Sequence, residues 1–506
     1  MKKILFFLLP LLLPYCSFGQ LQVPEVLDNL RVNDAAAKTI RTADCHYVMA
    51  GFWGPVNSNM ADSAFLMKLD PCGCTVWLEK FYPPNGEGSC GFLDVVEMPN
   101  GDFIATGVAE VRDTFLTQNY VTQEIWTVKV DSDGLLLKSK TWGIEEFPFS
   151  ILPVLSGIPA SNAWGMCKTQ DDMVALTGRI AEVNTSTADT LVLTDMLMKV
   201  DADLDLQWIS SLGHSAGQLR LGLDVVQGAN GAYWVGGQSI DTLSKKVYAQ
   251  LSHANSSGQL QWDTLYLASP IEGNGASVFS LTFTPQRNLM AAGRYQPPNV
   301  PNKKYDAFLL EIEASSGQLL SQHTYGLPGL DEGFIDLEPY QNGYWTAGNV
   351  EKTGVALRLN PQLIPQDTLW VFYPTYAASF SSVLPIPSTD SVVIGGSRFQ
   401  QGQGYDSTDV LFISTAYDSA TCSPSTPIPS YRGGIIIQID DINTKWQRIC
   451  QVQSFLCDTV TAVGEILELP GLKIYPNPAR EQLFVEYEKP ETIQVRLWFI
   501  RKLKAK

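Results

Sequence analysis

One ending recurs seven times along this chain. Short apolar runs close on a glycine at YVMAG (47–51), FIATG (103–107), VALTG (174–178), YWVGG (233–237), LMAAG (289–293), YWTAG (344–348) and VVIGG (392–396). The closing residues, Gly51, Gly107, Gly178, Gly237, Gly293, Gly348 and Gly396, stand 48 to 71 residues apart. Self-similarity at a period of about fifty residues marks a chain built from repeated supersecondary units. A glycine at the end of an apolar run permits a bulge or a close approach of another backbone.

The stretch from Phe92 to Gly143 shows what a unit contains. It reads FLDVVEMPNGDFIATG, a polar spacer, then IWTVKVDSDGLLLKSKTWG. The turns PNG and DSDG each join two apolar runs, so the unit is two β-hairpins in sequence. The third run recurs as AFLMKLD, IWTVKVD, DMLMKVD, VYAQLSH, AFLLEIE, VALRLN and IIIQID. The first three alternate around a central lysine and close on Asp70, Asp131 and Asp201, whose side chains are suited to capping the next turn. The fourth run opens near Trp77, Trp208, Trp262 and Trp446, which are expected to pack between units. First runs are less regular. The clearest are 93–98, 221–227 and 279–284, with 37–42 serving unit one.

This pattern predicts an all-β chain: a seven-bladed β-propeller with four-stranded antiparallel blades over residues 37–453. Residues 20–36 form a lead-in that either adds a closing strand or lies outside. Residues 454–471 read as a linker.

If the first strand of every blade runs the same way, the connections B–C and D–A share one face of the ring. The long loops fall there: 108–124, 179–194 and 294–306, the insertion 144–162 between units two and three, and the insertion 397–432 read within unit seven. These loops carry Trp53, Tyr120, Phe147, Phe149, Tyr295, Tyr405 and Tyr417, with Arg398 nearby. Aromatics beside polar groups suit sugar or protein surfaces. The same residues packing their own loops is the alternative.

Residues 1–19 have the layout of a signal peptide: Lys2 and Lys3, an apolar core from Ile4 to Leu13, and small residues before Gln20. Lipid attachment at Cys16 is the rival, disfavoured by bulky Tyr15. No later apolar run is long enough to span a bilayer. Export makes the remaining eight cysteines disulfide candidates, with buried thiols as the alternative. The A–B turn holding Cys45 and the C–D turn holding Cys72 and Cys74 share a blade and a face, so Cys45 is placed to pair with one of them. Cys450 and Cys457 are the next pair.

The formal charge is −17, with 35 Lys and Arg, which argues against a nucleic-acid partner. No HExxH is present, and His46, His214, His253 and His323 are scattered over four units. No cofactor or metal is expected. The one opening for calcium, Asp131-Ser132-Asp133-Gly134, lacks a later acidic ligand and sits in a hairpin turn.

In outline the repeats resemble kelch-type propellers. The phrases GDFIATG and VKVDSDGLLLKSKTWG are similar to repeats of secreted Bacteroidetes proteins that use the type IX secretion route. Residues 472–488, LKIYPNPAREQLFVEYE, resemble the start of the type A sorting domain of that route, through Ile474, Tyr475, Pro476, Asn477, Pro478 and Ala479 and the alternation Leu483, Val485, Tyr487. The resemblance implies the type IX machinery as a partner, a small β-sandwich-like segment over 472–506, and a secreted or outer-surface location. The segment departs from the family by ending in WFIRKLKAK, so it reads as truncated, with the periplasm as the address if sorting fails. Asp-Ser/Thr-apolar triplets at Asp62, Asp189, Asp241, Asp263, Asp367, Asp390, Asp418 and Asp458 are similar to the O-glycosylation sequon of such exported proteins.

The expected function is non-catalytic recognition of an extracellular glycan or protein by a monomer. The alternatives are a propeller enzyme acting on polysaccharide or peptide, and a structural or adhesive surface component.

Overall fold

The computed structural model describes residues 32–414 apart from 56–61, 72, 85, 116–117, 144–160, 184–190, 214–216, 270–274, 298–304, 327–329, 373–375, 387–390 and 401–407, together with 25–27, 435–440, 472–475, 482–487 and 494–499. Within these residues the chain is all-β.

Seven antiparallel four-stranded blades follow one another. Strand β1 (Glu25–Leu27) comes first and belongs to the last blade. Blade one is β2 (Val32–Arg41), β3 (Tyr47–Pro55), β4 (Ser63–Leu69) and β5 (Thr75–Phe81). Blade two is β6 (Gly86–Glu97), β7 (Phe103–Phe115), β8 (Gln118–Val130) and β9 (Leu136–Trp142). Blade three is β10 (Asn162–Lys168), β11 (Val174–Val183), β12 (Leu191–Val200) and β13 (Leu206–Ser211). Blade four is β14 (Gln218–Gln227), β15 (Tyr233–Asp241), β16 (Val247–Ala254) and β17 (Leu260–Ser269). Blade five is β18 (Ser277–Phe283), β19 (Leu289–Tyr295), β20 (Asp306–Ile312) and β21 (Leu319–Tyr325). Blade six is β22 (Glu332–Tyr340), β23 (Gly343–Val350), β24 (Thr353–Leu359) and β25 (Pro365–Phe372).

Blade seven corrects the sequence reading. Its strands are β26 (Tyr376–Ile386), β27 (Ser391–Gln400), β28 (Thr408–Ser414) and β1, paired antiparallel as Glu25↔Phe412 to Leu27↔Val410. The third strand is therefore TDVLFIS, and IIIQID is not in the ring. Both segments are equally apolar, but 408 follows Gly396 at ordinary hairpin distance, whereas 435 requires the 397–432 insertion. The stretch read as an insertion thus contains the end of β27 and all of β28, and the lead-in supplies the fourth strand. IIIQID forms β29 (Ile435–Asp440), parallel to the outer edge of blade six through Leu369↔Ile435 to Phe372↔Gln438. Next to it lie β32 (Gln494–Phe499), β31 (Gln482–Tyr487) and β30 (Leu472–Tyr475). The terminal run thus holds a strand through Trp498 and Phe499, which its basic composition had concealed.

The first strands contact each other in a closed cycle, β2–β6–β10–β14–β18–β22–β26 and back to β2, so they surround the axis. The core is correspondingly divided into seven apolar layers, one at each blade interface. Trp345, fully buried between blades six and seven, is a representative of these layers. Burying a side chain of that size contributes roughly 2–3 kcal/mol.

The recurring glycines answer to a single geometry. In every blade the first strand carries a one-residue bulge opposite the glycine, at Ala37, Leu93, Trp164, Leu223, Phe279, Ile335 and Ser381. The bulge pushes a carbonyl toward the glycine. A Cβ on any of the seven would lie 1.9–2.3 Å from the oxygen of Ala35, Gly91, Asn162, Leu221, Ser277, Gly333 or Ser379. No other residue fits without moving a strand.

The turn chemistry follows the sequence expectations. Asp70 Oδ1 accepts the Cys74 N–H, and Asp131 and Asp201 accept two amides each in their own turns. The central lysines of the third strands reach the A–B turns, with Lys68–Asp44 at 2.8 Å, Lys129–Asp102 at 3.3 Å and Lys199–Asp171 at 2.6 Å. The fourth-strand tryptophans pack between blades. Trp77, Trp208 and Trp262 cover the C–D-turn glycines of the next blade, Gly134, Gly258 and Gly317, each at a positive φ of 74–88°. Trp446 lies outside the described residues.

Candidate functional site

The residue after each bulge occupies the same register on all seven inner strands. These residues are Lys38, Asp94, Gly165, Asp224, Ser280, Asp336 and Ser382. Five of them accept the backbone N–H that follows the equivalent residue of the next blade. Asp94 Oδ2 takes Met166 N–H at 2.7 Å, Asp224 Oδ2 takes Leu281 N–H at 2.6 Å, and Ser280 Oγ takes Leu337 N–H at 3.2 Å. Asp336 Oδ2 takes Val383 N–H at 2.8 Å, and Ser382 Oγ takes Thr39 N–H at 2.9 Å. Each first strand is the edge of its sheet, so its outward amides have no ladder partner, and a short acceptor reaching across the interface satisfies them. Gly165 has no side chain; a Cβ there would be 2.6 Å from Leu223 O.

Lys38 breaks the pattern because an ammonium cannot accept. Its Nζ crosses toward blade six and lies 3.1 Å from Asp336 Oδ1. Burial works against its charge, but Asp336 first, then Asp94, Glu338 and Asp224, outweigh burial, and its pKa is raised above the ordinary lysine value. In the carboxyls burial wins instead. Burial pushes Asp94 up to about 6, Asp224 to about 7 and Glu338 to about 8, with Lys38 pulling each back. Among the described residues the axis therefore holds one cation, Lys38, among four carboxyl groups, three of which accept backbone amides.

The residues singled out from the sequence are placed differently. Trp53 is buried, edge-on to Phe65 at 6.4 Å, with Lys80 Nζ 3.5 Å from its ring centroid. Arg398 is 4% exposed. Tyr295 is half-buried against Phe308 at 6.2 Å. Tyr120 lies in β8; Phe147, Phe149, Tyr405 and Tyr417 lie outside the described residues, as do Pro476, Asn477 and Pro478, whereas Tyr475 ends β30. Cys45 stands in its A–B turn at φ 66°. Cys74, Cys90 and Cys167 are thiols, and burial raises Cys90 to about 12. Cys72, Cys450 and Cys457 lie outside the described residues. Asp131 of the calcium-like turn uses Oδ1 for the amides of Asp133 and Leu135. His253 stacks on Trp234 at 4.5 Å and burial lowers its pKa. His323, with Glu311, Ser321 and Tyr344, lines a cleft of about 110 Å³ between blades five and six. Of the sequon hydroxyls, that of Ser63 is in the core and that of Thr242 bonds Gly217 O at 2.8 Å. Among the described residues no group of three or more metal-ligating side chains comes together, and no helix is long and apolar enough to cross a membrane.

The axial ring was missed in the sequence. A signal was present: LDVV occurs at 93–96 and again at 223–226, and IDL at 335–337 sets a third aspartate in line with them.

No family model matches the chain, and no curated protein matches it. Several solved structures are similar. A protein of unknown function from Dyadobacter fermentans is 10% identical and aligns over 78% of this chain and 99% of its own, with a TM-score of 0.44. The polysaccharide lyase Uly1 is 12% identical over 75% of this chain and 89% of its own, with a TM-score of 0.46. The Dos1 propeller is 8% identical over 76% and 93%, with a TM-score of 0.43. None of these likenesses assigns an activity to this chain.

Proposed function

We propose that the chain is an exported, non-catalytic binding protein that recognises an extracellular glycan or protein on the face carrying the B–C and D–A connections. One observation carries the reading: on blades two and three the B–C hairpins rise far above that face. The β7–β8 pairing continues from Gly107 to Phe115↔Gln118, eight residues further, or about 27 Å at the usual strand rise. The β11–β12 pairing continues from Gly178 to Val183↔Leu191, about 17 Å. In blade six the same hairpin ends two residues past Gly348, at Val350↔Thr353. Two adjacent tall hairpins make a wall beside the mouth of the axis, a shape suited to holding a partner against it.

The axial carboxylates also support binding over turnover. Acid–base hydrolysis needs two carboxyl groups with separate protonation roles. Asp94, Asp224 and Asp336 each give an oxygen to a neighbouring blade's amide, which ties all three to holding the ring together. Export by the signal segment, delivery by the 472–506 segment to the outer surface, and a Cys45–Cys72 bridge complete the proposal. The bridge is supported by Cys45, which carries no titratable thiol.

The test uses the mature chain on a glycan array and in a pull-down from extracellular material. A variant with β7–β8 shortened to a tight turn beyond Val111↔Thr122, which leaves Ala109 and Val111 in their layer, should melt as the wild type does and lose the retained ligand. Unchanged retention by that variant, or turnover of a polysaccharide abolished by Glu338→Gln, would overturn the reading.

A further inference from the structure

The position after each strand-B glycine forms a second set of equivalent residues, one step nearer the loop-rich face: Phe52, Val108, Arg179, Gln238, Arg294, Asn349 and Ser397. Side chains here lie over the inner strand of the next blade. Phe52 covers Gly91, the Arg294 stem covers Gly333, Gln238 Oε1 accepts Ser277 Oγ–H at 2.8 Å, and Ser397 Oγ accepts Ala36 N–H at 3.0 Å.

On blades three and five alone, an arginine at this position coincides with an aromatic residue at the bulge. Blade three pairs Arg179 with Trp164, and blade five pairs Arg294 with Phe279. Trp164 is 39% exposed, its Nε1 anchored to Asn162 Oδ1 at 2.9 Å, and Asn162 is the ladder partner of Arg179. The Arg294 guanidinium lies 4.3 Å from the Tyr305 ring centroid and 5.4 Å from that of Phe279. The Nε of both arginines is buried and has no hydrogen-bond partner. Burial depresses the pKa of Arg179, and no carboxylate offsets it. On blade four, between them, Gln238 uses its oxygen for Ser277 and keeps its amide N–H groups for a ligand.

Such an arrangement is costly in a free protein. The Arg179 guanidinium gives up hydration with no anion in return, and Arg294 has only its aromatic rings to offset the loss. It is also out of character for a chain of net charge −17. The three blades present donors beside a partly exposed indole. Guanidinium forks match carboxylate and sulfate oxygens in bidentate fashion, and an indole face takes the C–H face of a sugar ring. We infer that blades three to five hold an acidic polysaccharide, its anionic groups on Arg179 and Arg294 and a sugar ring on Trp164. This rests on the binding function proposed above and names its ligand class.

The experiment is calorimetric titration of the mature full-length chain with three probes: oligogalacturonate, its methyl ester, and a sulfated galactan oligomer. At least one acidic probe should bind, the neutral ester should not, and affinity should fall as salt rises. The acidic probe that binds distinguishes carboxylate from sulfate. In the double variant Arg179→Gln/Arg294→Gln, affinity should drop by roughly tenfold to a hundredfold, the loss of charge-assisted hydrogen bonds, with no fall in melting temperature. Arg179→Lys/Arg294→Lys, which keeps the charge and loses the fork, should fall between. Binding of ester and acid alike, or wild-type affinity in the Gln variant, overturns the inference and leaves the binding function standing. Silence toward all three probes with a protein retained in the pull-down does the same. Silence in every assay overturns both.

Discussion

Asp336 is the residue on which the axial ring is most exposed to test. Its Oδ2 is the acceptor for the Val383 amide and its Oδ1 faces Lys38 Nζ, with Ser280 Oγ at 3.5 Å. Asp336→Ala removes both functions. A buried N–H left unpaired costs about 1–3 kcal/mol. Lys38 then loses its nearest anion, but 27% of its side chain is open and Asp94, Asp224 and Glu338 remain near. Its share is therefore about 1–2 kcal/mol, below the value for a fully buried orphan charge. The expected destabilisation is about 2–5 kcal/mol, read as the shift in urea midpoint multiplied by the wild-type slope. Asp336→Asn keeps an acceptor for Val383 and should lose only about half as much. Ser280→Ala, which removes a neutral acceptor, should cost about 1 kcal/mol. An Ala variant within 1 kcal/mol of wild type would refute the ring as a fastening device. Equal losses for Asn and Ala would show that charge, not the amide, is what matters.

Three further outcomes are expected. Gly348→Ala, whose Cβ would sit 1.9 Å from Gly333 O, should destabilise by about 3 kcal/mol or more, whereas Gly101→Ala meets nothing within 4 Å and should cost only the strain of its positive φ, about 1 kcal/mol; thermal melts of the pair check this. The raised carboxyls bind protons more tightly in the folded chain than in the unfolded one, so the stability they contribute is complete below about pH 4 and is lost as pH rises through about 6 for Asp94, 7 for Asp224 and 8 for Glu338. The urea midpoint should therefore fall between pH 5 and 8, and fall less in Glu338→Gln; a midpoint that rises over that range contradicts the assignment. Peptide mapping without reductant should return the Cys45 peptide linked to the Cys72 peptide, with Cys90 and Cys167 alkylated only after unfolding; a free Cys45 thiol contradicts the bridge.

The parts of this fold that the sequence displays are those where a single residue type will serve. A carbonyl 1.9 Å from the Cβ position admits only glycine, so seven glycines survive at seven equivalent places and the blade number can be counted. The axial ring is hidden for the opposite reason. Catching a neighbour's amide is a task that aspartate and serine both perform, so Asp94, Asp224, Ser280, Asp336 and Ser382 share a position without sharing a letter. The arginines of blades three and five are hidden as well, because Arg179 and Arg294 matter through what they lack. Of the aromatics read from the loops, Trp53 closes a layer, because composition does not separate a side chain on a surface from a buried one. The third strand of blade seven was misplaced because β28 and β29 are alike in hydropathy, and only distance from Gly396 separates them.

The pairing of β1 with β28 has a consequence for how the molecule is made. β1, which precedes every other described strand, has no seat until residue 414 has been made. Until then the ring is an open arc with one bare edge. The segment Glu25–Leu27 must therefore stay unspent while six blades and three strands of the seventh are laid down, and three residues then lock the wheel.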